Sequence, residues 1–290
     1  MAQAEEARDR LCAAHGWARD RVELVPVIAS GDKIQDRPLA DIGGKALWTR
    51  ELDIWLAEGR IDAAVHSMKD VETIRAPEIV IAAILPRADK ADVLLGATSL
   101  LVIPQGARVG TSAPRRAAQL LHARPDLEVV GIRGNVATRM AKLSAGEADA
   151  TFLAAAGLAR LGQSGVGTRL DPENWLPAPA QAAIGIECRA GDDRAQQVLA
   201  AIDHQPSHEE ISAERALLEG LGGSCHSPIA ALTVRQGSDL LLDAAIYSPD
   251  GAICIRRQAQ FAPGDLAAPR DLASRLLAQA PAQVAAHFGN

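Results

Sequence analysis

The chain has 290 residues, 48% hydrophobic and 23% charged, a balance that suits two or three packed domains and excludes a disordered chain. Its net charge of −6 argues against a general nucleic-acid binder, whose footprint is basic. No run of about 18 apolar residues marks a membrane span. The acidic opening through Glu5 and Glu6 is neither a signal nor a transit peptide, so the expected compartment is the cytoplasm. No large exposed apolar face is evident, and a monomer is expected.

In chain order, the first lobe is expected over residues 1–85. It opens with an amphipathic helix (1–15), a strand (22–29), a helix (46–58), a strand beginning at Ala63 and a strand over 79–85. An internal echo sets the architecture: Leu56, Gly59, Asp62 and Ala63 recur at the same offsets as Leu143, Gly146, Asp149 and Ala150. Glycine suits the left-handed residue that ends a helix, and the apolar run after each echo reads as a buried parallel strand. The second lobe is expected over 90–178, with 86–90 as linker and Pro177-Ala178-Pro179 as the return crossing. The chain rejoins lobe one over 182–200. From about residue 205 to 290 a helix (209–221), three alternating strands (229–234, 240–246, 252–258) and a last helix (269–287) read as a smaller α+β domain. The fold class is therefore α/β: two similar hinged lobes of the periplasmic-binding-protein type, with a cleft between them, plus a small C-terminal domain.

The candidate chemistry is local. Between residues 105 and 160 eight basic residues face four acids, a positive stretch in a negative protein. Gly110-Thr111-Ser112-Ala113-Pro114-Arg115-Arg116 follows a short strand and opens a helix, with Thr111 or Ser112 as cap and Pro114 in the first turn. Ile132-Arg133-Gly134-Asn135-Val136-Ala137-Thr138-Arg139 repeats the design. Such basic strand-to-helix turns suit a ligand with several carboxylates or phosphates, and equally a capped helix with solvated arginines. There is no P-loop, which disfavours a nucleotide. His66-Ser67-Met68-Lys69-Asp70 is expected at a strand's carboxyl end, where Asp70 could act as general acid or base, stabilise a cation, or simply start a helix. Gly43-Gly44-Lys45 reads as a loop carrying Lys45 to an anion, or as a plain loop beside a core Trp48.

Four cysteines, Cys12, Cys188, Cys225 and Cys254, form no CxxC pair, so no metal site or disulfide framework is expected. Cys225 lies in Gly222-Gly223-Ser224-Cys225-His226-Ser227-Pro228 and is the candidate for covalent attachment. The other three sit in helix or strand patterns.

Taken together, GGKALW (43–48), AAVHSMKDV (63–71), VGTSAPRR (109–116), IRGNVATR (132–139), AAAGLARLG (154–162), QAAIGIECR (181–189) and GGSCHSPIA (222–230) closely resemble the porphobilinogen deaminase family, in its order and spacing over nearly the whole chain. The resemblance implies a transferase of tetrapyrrole biosynthesis that joins four porphobilinogen molecules head to tail into hydroxymethylbilane with loss of ammonia. It implies a dipyrromethane cofactor held by a thioether bond to Cys225. Asp70 matches the family's catalytic aspartate. Lys69, Thr111, Arg115, Arg116, Arg133 and Arg139 match cofactor-binding positions, and Lys45, Trp48, Arg160 and Gln181 substrate-binding ones. A two-lobed solute-binding protein would leave the third domain and Cys225 without a role, and an acidic-ligand sensor or scaffold lacks any DNA-binding segment.

Some residues depart from the family's pattern. Ser224 precedes the cysteine where glycine is common, Glu72-Thr73 follow where a proline is common, Trp48 replaces a usual phenylalanine, and Ala182 stands where glycine is frequent. The opening helix begins without a capping residue, and the family's matching stretch follows a strand and a loop carrying an arginine and a serine. A functional segment is therefore expected ahead of Met1.

Overall fold

The computed structural model describes residues 1–27, 49–224 and 226–288. Helix α1 (Ala2–His15) ends where Gly16 turns left-handed (φ 65°) and caps back to the Cys12 carbonyl. Helix α2 (Arg50–Ala57) leads into β1 (Ala64–Ser67). Strands β2 (Ile79–Ile84) and β8 (Ile184–Arg189) complete a three-stranded sheet in the order β1-β8-β2. Both neighbours of β8 run antiparallel to it, which corrects the parallel strand expected after the first echo. The strand expected over 22–29 is also absent from its described part: residues 22–27 carry no ladder, and a 3-10 turn (Arg19–Arg21) stands just before them. Ala7 and Leu11 of α1 pack on Ala83, Ile184 and Ile186, closing one face of this sheet.

Lobe two is built on a five-stranded sheet. Its strands are β3 (Asp92–Leu95), β4 (Arg108–Gly110), β5 (Glu128–Val130), β6 (Ala150–Ala154) and β7 (Thr168–Arg169), in the order β5-β4-β6-β3-β7. Here β6 runs parallel to β4 and antiparallel to β3. All of β3 is buried: Leu94 faces a core with Val109, Leu120, Phe152 and Trp175, and Val93 and Leu95 face a second with Leu153 and Leu158. A sheet covered on both faces needs such an uninterrupted apolar run. Helices α3 (Pro114–Ala123), α4 (Val136–Ser144) and α5 (Ala155–Arg160) flank it.

After β8, helix α6 (Asp193–Ala200) packs on lobe one, and α7 (Gln205–Leu221) begins the C-terminal unit. Strands β9 (Ile229–Gln236), β10 (Asp239–Tyr247) and β11 (Cys254–Phe261) form an antiparallel sheet covered by α7 and α8 (Ala267–Gln279). The final helix expected as one piece is broken: Ala280 is extended and Pro281 caps a short α9 (Ala282–Ala285), because proline disfavours helix in the residue before it.

The two crossings between the lobes run side by side, with Leu85 N–H donating to Ile184 O (3.0 Å) and Ala88 N–H to Ala182 O (3.4 Å). Buried Glu214 of α7 fastens them. Its carboxylate accepts from Arg87 Nη1 (2.8 Å) and Nη2 (2.9 Å), from Ala180 N–H (2.6 Å) and from Thr233 N–H (3.0 Å). Ala180 (φ 59°) and Ala182 (φ 70°) are the two non-glycine residues at positive φ among those described. This strain, about 1–2 kcal/mol per residue, sits where the chain returns to lobe one.

Candidate active site

The first site element grows from β1. Met68 turns inward, almost fully buried, and its N–H donates to Ala183 O (3.0 Å). Its side chain lies over Gly185, where an added Cβ would come within 2.1 Å of the Met68 sulfur. A 3-10 turn (Met68–Asp70) then leaves Lys69 and Asp70 half-buried at the strand's end. Among the described residues, neither side chain has a hydrogen bond or an ion pair.

The second element is the loop into α4. Gly134 has φ 117°, and a Cβ there would meet Thr138 Cγ2 at 2.6 Å, so only glycine fits. Asn135 caps the helix by accepting from Thr138 N–H (2.9 Å). Arg139 Nε donates back to Gly134 O (2.9 Å). Its other N–H groups find no acceptor among the described residues. Burial, and after it the nearby Arg116, lower the Arg139 guanidinium to about 10; Asp70 and Asp92 oppose this, and Arg133 adds to it. Lys69 is likewise pulled down, chiefly by burial, with Asp70 acting against it and Arg116 and Arg139 with it. Lys69 and Asp70 of lobe one and Arg139 of lobe two thus share one field, in which Asp70 and the more distant, buried Asp92 both oppose the desolvation of the two cations.

Other expected site residues stand differently. Arg115 and Arg116 are 4% and 5% exposed and turn to Asp92. Arg115 Nη2 donates to Oδ2 (2.7 Å), and Arg116 donates from Nε (3.1 Å) and Nη2 (2.6 Å). Arg115 Nη1 and Arg116 Nη1 are occupied by the carbonyls of Leu176 and Phe152. Gln181, 1% exposed, gives its amide to Asp92 Oδ1 (2.9 Å) and Lys90 O (2.7 Å). These three side chains, expected at cofactor- and substrate-binding positions, here hold the base of lobe two to the crossings, because a fully buried carboxylate needs compensating donors. Thr111 is buried and its hydroxyl accepts from Ala113 N–H (3.2 Å). The helix cap is Ala113, without a side-chain bond, so neither Thr111 nor Ser112 caps α3 as expected. Arg160 reaches across to lobe one, donating to Ala182 O (3.3 Å) and standing 3.8 Å from Glu6. Lys45, Trp48 and Cys225 lie outside the described residues. Cys12 and Cys188 are buried and Cys254 partly so, all three free.

Sequence reasoning missed Asp92. Its signal was present: an acid opening the apolar run Val93-Leu94-Leu95 has to be either a cap or a buried pair. Burial alone would raise its carboxyl, but Arg115 and Arg116 hold it well below the ordinary range.

The dipyrromethane implied by the resemblance carries two carboxylates per pyrrole. Lys69 and Arg139, desolvated and with no ion pair among the described residues, fit such a group. Among the described residues no cluster of three metal-ligating side chains occurs.

Residues 1–197 match the family described as porphobilinogen deaminase, dipyromethane cofactor binding domain, and residues 208–280 match the porphobilinogen deaminase C-terminal domain. The chain is 53% identical over 290 residues to a porphobilinogen deaminase of Sphingopyxis alaskensis, covering 98% of this chain and 91% of that protein. It is 48% identical over 286 residues to one of Paracoccus denitrificans, covering 97% and 91%. Among solved structures, a periplasmic substrate-binding protein of an ABC transporter from Coxiella burnetii aligns with TM-score 0.41 and 16% identity, over 73% of this chain and 91% of that one.

Proposed function

This chain belongs to the porphobilinogen deaminase family, and we propose that Asp70, Lys69, Arg133 and Arg139 are the residues that carry its reaction. It is a transferase of tetrapyrrole biosynthesis, polymerising four porphobilinogen molecules head to tail into hydroxymethylbilane with release of ammonia on a dipyrromethane cofactor. When bound, the dipyrromethane supplies the pyrrole end to which substrate units are added.

Lys69, Arg133 and Arg139 hold acetate and propionate carboxylates, each charge-assisted contact being worth about 1.5–3 kcal/mol. Asp70, the acid in their midst, accepts pyrrole N–H groups and stabilises the positive charge that develops on the substrate as ammonia leaves. Arg115, Arg116 and Gln181 act from behind, fixing lobe two through Asp92. Cys225 is the attachment point. Lys45, Trp48, Thr111 and Arg160 complete the binding surface. We further propose a monomer working in the cytoplasm on this small-molecule substrate, without a nucleic-acid or membrane partner. The net charge of −6 supports the absence of nucleic acid, and among the described residues the exposed large hydrophobic side chains are isolated from one another in sequence except for the neighbours Leu101 and Val102, which supports the monomer. No helix among the described residues is long and apolar enough to cross a membrane.

The observation that supports this most is that Lys69 and Arg139, one from each lobe and both desolvated, lie within reach of the charge of Asp70. Asp70→Asn is expected to keep its fold and its covalent adduct on Cys225 while losing about 10²–10³-fold in turnover. Circular dichroism, intact mass and product formation measure the three. Near-normal turnover would move the catalytic carboxylate elsewhere, and an adduct that survives Cys225→Ser would move the attachment.

A further inference from the structure

The segment that follows Asp70 does not run free. Thr73 Oγ1 donates to the Gly223 carbonyl (2.8 Å), two residues before Cys225. From the opposite direction Arg215 of α7 donates through Nη2 to the carbonyls of Glu72 (2.7 Å) and Thr73 (3.0 Å). The same segment is pinned to lobe one. The Glu72 carboxylate accepts from Thr49 Oγ1 (2.8 Å) and Arg75 Nη1 (2.8 Å), and Arg75 makes two bonds to buried Glu187 (2.8 and 2.9 Å) and two to Asp53 (3.1 and 2.5 Å).

On the other side, Gly223 has little freedom. Its N–H caps α7 by donating to Leu218 O (2.9 Å), and a Cβ there would stand 2.3 Å from Ile229 Cδ1. Ser224 and Ser227 then close a turn, Ser227 N–H donating to Ser224 O (3.0 Å). Among the described residues, no side chain other than Thr73 reaches residues 222–228 from either lobe by a hydrogen bond.

We propose that Thr73 is a positioning residue that sets the register between Asp70 and the cysteine loop, with Arg215 as its support. The proposal rests on the assignment of Asp70 and Cys225 above and adds to it a reason why both can serve one reaction. Asp70 belongs to lobe one and Cys225 to the C-terminal unit. Each unit added to the growing chain must arrive at the same carboxylate, so drift between the loop and Asp70 would degrade every addition. One hydroxyl between two short, well-anchored segments suppresses that drift.

Thr73→Val removes the donor at constant shape, and Thr73→Ser keeps it. In the valine variant, amide exchange at Ser224 and His226 should quicken about 2- to 10-fold, the range for loss of one neutral hydrogen bond. The melting temperature should stay near that of the unmodified protein. Intact mass should show the adduct present and, during turnover, a redistribution toward forms carrying one to three extra substrate units. Serine should restore both readouts. Exchange and intermediate distribution unchanged by valine would overturn the proposal, as would a serine variant that behaves like valine. If the unmodified protein carries no adduct on Cys225, the attachment assignment fails instead, and the exchange rates alone decide whether the tether exists.

Discussion

Asp92 at the start of β3 and Asp70 at the end of the β1 turn have the same kinds of neighbour, and differ in how these neighbours are paired. Asp92 is fully buried and takes five donors, from Arg115, Arg116 (two), Trp175 and Gln181. Asp70 is half-exposed and takes none among the described residues, although Lys69 and Arg139 feel its charge. A fully satisfied carboxylate acts as structure. One surrounded by desolvated cations with unspent donors leaves those cations available for a polyanionic ligand. Arginine count along the sequence does not separate the two situations; pairing does.

The largest effect should come from breaking the satisfied centre. Asp92→Asn removes the charge that two buried guanidiniums share, and loss of one partner of a buried pair costs about 3–5 kcal/mol. Asp92's folded pKa lies below its unfolded value of about 3.9. Its stabilisation is therefore complete above that pH and is lost as pH falls toward the folded value. Denaturant melts at neutral pH should show the loss, and the variant should lack the wild type's added acid sensitivity below pH about 4. A loss under about 1 kcal/mol would mean that Asp92 is no more structural than Asp70.

Much of this division was hidden from the sequence. The echo of Leu, Gly, Asp and Ala located β1 and β6, and the apolar runs located β8 and the three C-terminal strands to within a few residues. Strand direction was not legible: buried parallel and antiparallel strands read alike when both faces are covered, and β1 proved antiparallel. The HSMKD and RGNVATR segments stood out in the sequence by their charge and, in the second, by the special backbone needs at Gly134 and Asn135. The pairing of Arg115 and Arg116 with Asp92 was not legible, since two arginines at a helix start look the same whether they face a ligand or a buried acid 23 or 24 residues earlier. Thr73, Arg87 and Glu214 were invisible for the same reason: Thr73 meets Gly223, and Arg87 meets Glu214, across more than 100 residues of chain.

The unsatisfied side of the comparison is sharpened by Lys69. Lys69→Met should weaken substrate binding about ten- to hundredfold, from loss of a charge-assisted contact of about 1.5–3 kcal/mol, with little change in melting. Burial, only partly offset by Asp70, lowers the ammonium below the ordinary lysine value of about 10.4. The charge is thus lost at lower pH than on an exposed lysine, and substrate affinity should decline on the alkaline side earlier than an exposed lysine would dictate. Lys69→Arg keeps the cation and should carry that limb upward. An alkaline limb indifferent to Lys69→Arg would show that Lys69 does not hold the substrate.

The smallest effect should come from a pair with the same chemistry and neither burial nor ligand. Arg169 and Asp89 form a two-bond ion pair (2.6 and 2.9 Å) with side chains 54% and 39% exposed, linking the crossing to β7. The Asp89 carboxyl is lowered, first by its bond to Arg169. Solvent screens such a pair, and exposed ion pairs contribute about 0–1 kcal/mol. Arg169→Gln should therefore cost no more than that, and the cost should vanish near 1 M salt, where the screening length is about 3 Å. As pH falls from the unfolded pKa of Asp89 through its lower folded value, the variant and the unmodified protein should converge, because a carboxyl lowered in the fold contributes only while ionised. The Asp92→Asn deficit, shielded from ions, should persist at the same salt concentration. Denaturant melts of both variants at low and high salt make the test. A salt-resistant loss above about 2 kcal/mol in Arg169→Gln would place this pair with Asp92, as a structural latch on the crossing, and burial would no longer be what separates the two kinds of acid in this protein.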